Sequence, residues 1–227
     1  MNILESLPIM PVSSVLFPGA PTSLYIHEQR YRDMLDECLA RGDGLFGVAL
    51  PKSGQEQEGT VLPHTVGTLA KVVAVTSLPD QSSLVMVRGG PRFRIRRYME
   101  LRPVVEAEVE VLDDDSSLAP AELMMAQEAH EQLQRLTALL LETMETDQAR
   151  TDIPDDPVRL SWAVAAYAQA SVAVQQRLLE ENSVAARLEM AMPMLREEIG
   201  HYEVMLAARR RLDELGISSD DAPFSRN

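Results

Sequence analysis

The chain has 227 residues, 45% of them apolar, with a formal net charge of −14. This describes a folded chain with room for one large or two small cores, and it excludes a disordered one. Residues 1–112 carry 11 Lys+Arg against 13 Asp+Glu and residues 113–227 carry 10 against 22, so the second half repels phosphate and argues against a long track for DNA or an anionic membrane.

In chain order, the N-terminus MNILESLPIMP has an acid at Glu5, no basic start and no long apolar run, unlike a signal peptide. LPIMPV, SVLFPG and SLYI read as strand-sized apolar runs split by Pro and Gly. A helix follows in HEQRYRDMLDECLA, where Tyr31, Met34, Leu35, Cys38 and Leu39 form one stripe and Gly42 ends the element. LFGVAL is a strand, residues 51–65 read as an exposed loop, and GTLAKVVAV and SLVMVRG are strands joined by a turn at Pro79-Asp80.

Next comes VRGGPRFRIRRY (87–98), five arginines in twelve residues with a Phe and a Tyr. Basic residues interleaved with aromatics can grip phosphates and stack bases. They also suit a strand with one wet face. Alternation puts Arg92, Arg94 and Arg96 on one side and Phe93 and Ile95 on the other. In the following VVEAEVEVL, Glu106, Glu108 and Glu110 share a face. The pattern predicts an antiparallel ladder with Arg96 opposite Glu106, Arg94 opposite Glu108 and Arg92 opposite Glu110. Gly89-Gly90 would allow a bulge where the sheet bends.

After Asp113-Asp114-Asp115, read as a solvated linker, the period becomes helical. Leu123, Ala126, His130, Leu133, Leu136, Leu140 and Met144 line a helix from Pro120 to near Glu145. TDQARTDIPDD is a polar connection. Asp156 caps a second helix, with Pro157 at its first position and Leu160, Val164, Tyr167 and Ala168 inward. Trp162, one position off that stripe, reads as core. A short helix spans 172–181, and Ser183 caps a long one closed by Gly216, with Pro193 kinking it inside. The expected organisation is a β half with one helix over 1–112, a helical bundle over 118–216 and a loose tail over 217–227.

The chemistry-bearing motifs are missing. The two lysines, Lys52 and Lys71, follow no glycine-rich phosphate loop. No G-x-S-x-G elbow occurs. His130-Glu131-Gln132-Leu133-Gln134 lacks the second histidine of a zinc-protease helix. Cys38, the single cysteine, allows no internal disulfide, fits a reducing compartment and falls on a buried stripe. No stretch approaches eighteen apolar residues, the length of a membrane span. The expectation is a cytoplasmic, non-enzymatic binding protein with no catalytic, cofactor or metal residues.

LPIMPVSSVLFPGAPTSLYIHEQRYRDMLDECL resembles the opening of the Lon-protease N-terminal (substrate-binding) domain family. The motif residues are Phe17-Pro18-Gly19 and Glu28, Arg30 and Tyr31 of the H-E-Q-R-Y string, where the family more often has F-E-P-R-Y. Then FGVAL, Val66-Gly67-Thr68 and a G-x-x-R-F-x-I pattern at Gly89, Arg92, Phe93 and Ile95 follow in the family's order. The resemblance implies an α+β fold, a PUA-like, highly curved β pseudo-barrel followed by an α-helical bundle. It also implies a stand-alone bacterial member without the ATPase and protease domains, whose partner is a protein or peptide. An RNA-binding role, known among PUA-like folds, is the alternative; DNA and membrane are not expected. In the residues' own terms, Pro18-Gly19 makes a tight turn, Arg30 and Glu28 form an ion pair at a strand–helix junction, and most of the seven methionines of the helical half fill core gaps. Met190 and Met194, one turn apart around Pro193, are the candidates for a protein-binding groove.

Overall fold

The computed structural model describes residues 2–57, 60–144 and 152–215. Eight strands come first: β1 Asn2–Pro11, β2 Pro21–Ile26, β3 Leu45–Ala49, β4 Pro51–Gln57, β5 Thr60–Pro63, β6 Val66–Ser77, β7 Ser83–Glu100 and β8 Val105–Val111, with helix α1 Gln29–Ala40 after β2. Four helices follow: α2 Pro120–Thr143, α3 Pro157–Tyr167, α4 Val172–Glu180 and α5 Val184–Glu214. The class is α+β.

Strands β7, β6, β3, β1 and β8 are hydrogen-bonded in that order, and β8 pairs back onto β7. The ring is closed, which is the curved barrel the resemblance implies and removes the sheet's edges there. β2 lies outside the ring on the first half of β7. The barrel is filled by Leu7, Ile9, Phe93, Val105 and Val109. Met34, Leu35 and Cys38 of α1 close a second cluster with Leu24, Ile26, Phe46, Val85 and Val87. Leu39 of the expected stripe stays exposed.

Several expectations need correction. Residues 51–57 and 60–63 form the antiparallel strands β4 and β5, where a loop was expected. SVLFPG is not a strand; it is the irregular connection from β1 to β2. Its main chain is bonded locally, Ala20 N–H to the Phe17 carbonyl and Gly19 N–H to the Gly89 carbonyl. SLVMVRG and RFRIRRY are one 18-residue strand, because Gly90-Pro91 is absorbed as a register shift opposite Leu69, between the pairs Thr68–Arg92 and Ala70–Gly89, instead of ending the element.

The Arg/Glu ladder is antiparallel as expected, but its register and members differ. Arg94 lies opposite Glu110 and Arg97 opposite Glu108, with Arg96 squeezed into a shift between them. Arg96 pairs with Glu110 at 3.1 Å and Arg97 with Glu108 at 3.3 Å. Arg92 does not join the wet face: it is only 1% exposed, because the helical half covers that end of the strand.

In the bundle, α2 buries Ala126, Ala129, Leu133, Leu136 and Thr137, while Leu123 and Met144 point out. Asp156 caps α3, accepting from Arg159 N–H at 2.9 Å, and Pro157 follows at the first position. Ser183 Oγ accepts from Ala186 N–H at the start of α5, which continues through Pro193. The expected ends at Glu145 and Gly216, and the tail over 217–227, lie outside the described residues. The bundle core takes in Phe17 and Val66 from the β half, so the two halves share apolar packing.

Candidate functional site

The F-P-G segment is held by two glycines. Gly19 takes φ +81, a region L side chains avoid. Gly89 lets the Phe17 carbonyl oxygen come so near that a Cβ there would lie 2.1 Å from it. Phe17 is thereby driven against Trp162 of α3, ring centroids 6.1 Å apart. Between this segment, Gly90-Pro91 and Leu112–Asp114 on one side and α3 on the other lies a cleft of about 930 Å³. Its apolar lining includes Val15, Phe17, Val158, Trp162, Ala166 and Tyr167, and charges of both signs join it: Arg88, Arg159, Asp113 and Asp152. The size and mixed lining are those of a ligand cleft.

Behind the cleft sits a buried charge cluster. Arg92 from the barrel donates to Asp114 Oδ1 at 2.9 Å and to the carbonyls of Leu179 (2.9 Å) and Glu181 (3.2 Å). Arg187 from α5 donates to the same Asp114 oxygen at 2.6 Å and to Ser161 Oγ at 2.7 Å. Trp162 Nε1 donates to Asp114 Oδ2 at 3.1 Å. The Arg187 guanidinium carbon lies 3.2 Å from the Trp162 ring centroid and that of Arg92 5.0 Å away. Burial holds both guanidiniums below their ordinary pKa, Arg187 at about 10, against the pull of Asp114. One carboxylate thus ties barrel, linker and bundle together. The cluster's other bonds run to main-chain carbonyls, Ser161 and Asn182, and among the described residues Nε of Arg92 and of Arg187 are buried without a hydrogen-bond partner.

This overturns the solvated reading for Asp114, while the side chains of Asp113 and Asp115 stay exposed as expected. Asp114 is mostly buried between two cations, and Asp115 joins Ser183 in an isolated bridge, its N–H donating to the Asn182 carbonyl at 2.9 Å. Sequence reasoning missed Asp114 and Arg187. A signal for Arg187 was available, since it falls on the apolar stripe of Val184, Leu188 and Ala191.

Of the motif residues, Phe17, Pro18, Gly19 and Arg92 line the cleft. Glu28, Arg30 and Tyr31 do not. Arg30 Nε donates to Glu28 at 2.8 Å, and its guanidinium covers the Tyr31 ring at 4.6 Å. Glu28 and Tyr31 border a second cleft of about 370 Å³ between β2 and residues 10–14. Gly67 lies in β6, within the barrel wall, where a Cβ would meet the Val48 carbonyl oxygen at 2.5 Å. Met190 and Met194 are half-buried against the bundle core and line neither cleft. Cys38 is fully buried, its thiol pKa raised by burial. Among the described residues, no three His, Cys, Asp or Glu side chains cluster as metal ligands, and no helix is long and apolar enough to cross a membrane.

Residues 6–197 match the model of the ATP-dependent protease La (LON) substrate-binding domain. The chain is 29% identical over 244 aligned positions to Lon protease 2 of Sorangium cellulosum (96% of this chain, 30% of the relative). It is 26% identical to Lon protease 2 of Myxococcus xanthus over 200 residues (86% of this chain, 24% of the relative). It spans about a quarter of the length of the curated relatives it matches. A crystal structure of a Lon N-terminal domain protein from Xanthomonas campestris superposes with a TM-score of 0.63 at 27% identity, covering 84% of this chain and 98% of that one. The N-terminal domain of Mycobacterium avium complex Lon protease, at 19% identity and a TM-score of 0.64 over 85% of this chain and 98% of that one, shares the fold. With the family model matched over residues 6–197, through the barrel and most of the bundle, this chain belongs to the Lon substrate-binding domain family.

Proposed function

We propose that this chain is a non-catalytic module that binds exposed segments of client proteins, holding them or presenting them to a protease or other partner, and that the cleft between barrel and bundle is one of its contact sites. The observation that carries this is the cleft itself. A floor of Phe17, Trp162 and Tyr167 suits apolar or aromatic side chains, and Arg88, Arg159, Asp113 and Asp152 offer both charge signs to the polar groups around them. RNA is the weaker reading. Of the five arginines that suggested it, Arg96 and Arg97 pair with Glu110 and Glu108, and Arg92 is buried with Asp114, which weakens the field phosphates need.

The test is binding of fluorescein-labelled, reduced and carboxymethylated α-lactalbumin, a permanently unfolded probe, followed by anisotropy. Ala166 is exposed on the cleft wall, so Ala166→Trp should fill the cleft without touching the core. Binding by the wild-type chain, weakened at least fivefold in Ala166→Trp, is the expected result. Equal binding by both would remove the cleft from the proposal, and no binding by either would end it.

A further inference from the structure

β2 is an open sheet edge. Among the described residues its only strand neighbour is β7. The hydrogen-bond phase along it is fixed from two sides. Gly89 N–H donates to the Ala20 carbonyl at 2.9 Å, so alternate residues from Ala20 onward, Thr22, Leu24 and Ile26, aim their main chain at β7. On the far flank of β7, Val72 N–H donates to Gly44 at 2.9 Å. Lys71 therefore faces β7 opposite Arg88, which leaves Val87 and Val85 facing β2, where they meet Thr22 and Leu24. Both routes give the same phase. Ser23 and Tyr25 turn N–H and C=O away from the sheet.

Native edges are usually blunted by lysine, a bulge or a central proline. β2 has none of these. Its register with β7 is unbroken over six residues, it carries no lysine, and its one proline is the first residue. Beside the edge runs the smaller cleft, about 370 Å³, whose opposite wall is Met10, Pro11, Val12, Ser13 and Ser14. The Tyr25 ring is held on one face by stacking on His27 and a hydrogen bond to Asp80, clear of the edge.

We propose that this edge takes an extended, unfolded polypeptide segment as an added strand, with Ser23 and Tyr25 supplying the main-chain donors and acceptors. Recognition of main chain instead of side chains is what a binder of many unfolded sequences needs. The proposal rests on the client-binding reading above and names the chemistry that reading leaves open.

The full chain is tested against the same α-lactalbumin probe. Ser23→Pro deletes one outward N–H and leaves the bonds to β7 in place; Ser23→Ala deletes only the hydroxyl. The expected result is a tenfold or greater loss of affinity in Ser23→Pro and less than twofold in Ser23→Ala. In the wild-type complex, amide hydrogen exchange at Ser23 and Tyr25 should slow at least tenfold while Thr22 and Leu24, already bonded, change little. Unchanged affinity in Ser23→Pro with no slowing at Ser23 and Tyr25 overturns the strand and leaves client binding standing. Failure of the wild-type chain to bind overturns both. If Ser23→Pro does not fold, the wild-type exchange pattern alone decides. If the proline instead dissolves a dimer that the probe does not displace, the edge belongs to a second copy of this chain and the proposal is wrong.

Discussion

Asp114 has one carboxylate and three donors to satisfy: Arg92, Arg187 and Trp162 Nε1. Removing it leaves two buried guanidiniums with only the weaker attraction of Glu181, and breaking a buried pair in this way costs about 3–5 kcal/mol. Asp114→Ala is therefore expected to lose that much in urea denaturation. Arg187→Met should lose less, about 1–3 kcal/mol, because Asp114 keeps Arg92 and a flexible apolar chain refills the place over Trp162. An equal or larger loss in Arg187→Met would mean that stacking, not charge, holds the cluster. The pH dependence has a definite sign. With the folded-state pKa of Arg187 held down to about 10 by burial, its burial cost is fully present at neutral pH, where it is charged folded and unfolded. That cost is relieved only as pH rises through about 10 toward the ordinary guanidinium value, so the cluster gains nothing from acidification. At this scale the sequence was only partly legible. Pro157 and Asp156 announced their cap because capping is local. A triple aspartate looks solvated by composition, and only the fold brings Arg92 and Arg187 to it from 22 and 73 residues away.

Among the elements, β7 shows most plainly what local pattern misses. The runs SLVMVRG and RFRIRRY read as separate strands, with Gly89-Gly90 suggesting a bulge where the sheet bends. In the barrel it is a bend within one strand, and its glycines serve a neighbour: Gly89 makes room for the Phe17 carbonyl. Cross-strand register has the same character. The Arg and Glu faces were visible in the alternation, but their offset depends on shifts between Ile95 and Arg97 and between Tyr98 and Glu100, which the alternation does not encode. Two alanine substitutions separate these roles of glycine. Gly89→Ala must push the F-P-G segment off the strand and should cost about 2–3 kcal/mol by overpacking, with Trp162 fluorescence changed because Phe17 moves with it. Gly200, inside α5, has open space where its Cβ would be and an ordinary φ. Gly200→Ala should gain about 0.5–1 kcal/mol from helix propensity. Thermal melts of the two variants check both signs at once. A tolerated Gly89→Ala would show that the close approach to Phe17 is not required.

For the molecule as a whole, the change of period near 112–118 and the charge asymmetry made the two halves legible; the seam between them was not. The strands end at Val111 and α2 begins at Pro120, yet the halves are not independent. Phe17 and Val66 lie in the bundle's core cluster. Gln176 Nε2 donates to the Val66 carbonyl at 3.1 Å, and Arg92 reaches Leu179, Glu181 and Asn182. Asp115 is bonded on both sides, to Asn182 and to Val184. These contacts bury polar groups of each half that would otherwise need water, so opening the seam exposes apolar area and strands charge in one step. The expected behaviour is a single urea transition. Far-UV circular dichroism, which reports mainly the helices, and the fluorescence of Trp162, the only tryptophan and placed at the seam, should give coincident midpoints. Arg92→Ala removes the barrel's charged reach into the bundle while leaving the apolar packing of Phe17 and Val66 in the bundle core. It should lower the fluorescence midpoint more than the dichroism midpoint, separating two curves that coincide in the wild-type chain. Curves already separate in the wild type would mean that barrel and bundle fold apart and that the cleft between them is not a fixed site. Curves that stay coincident in Arg92→Ala would place the coupling in Phe17, Val66 and Gln176 instead of in the charge cluster.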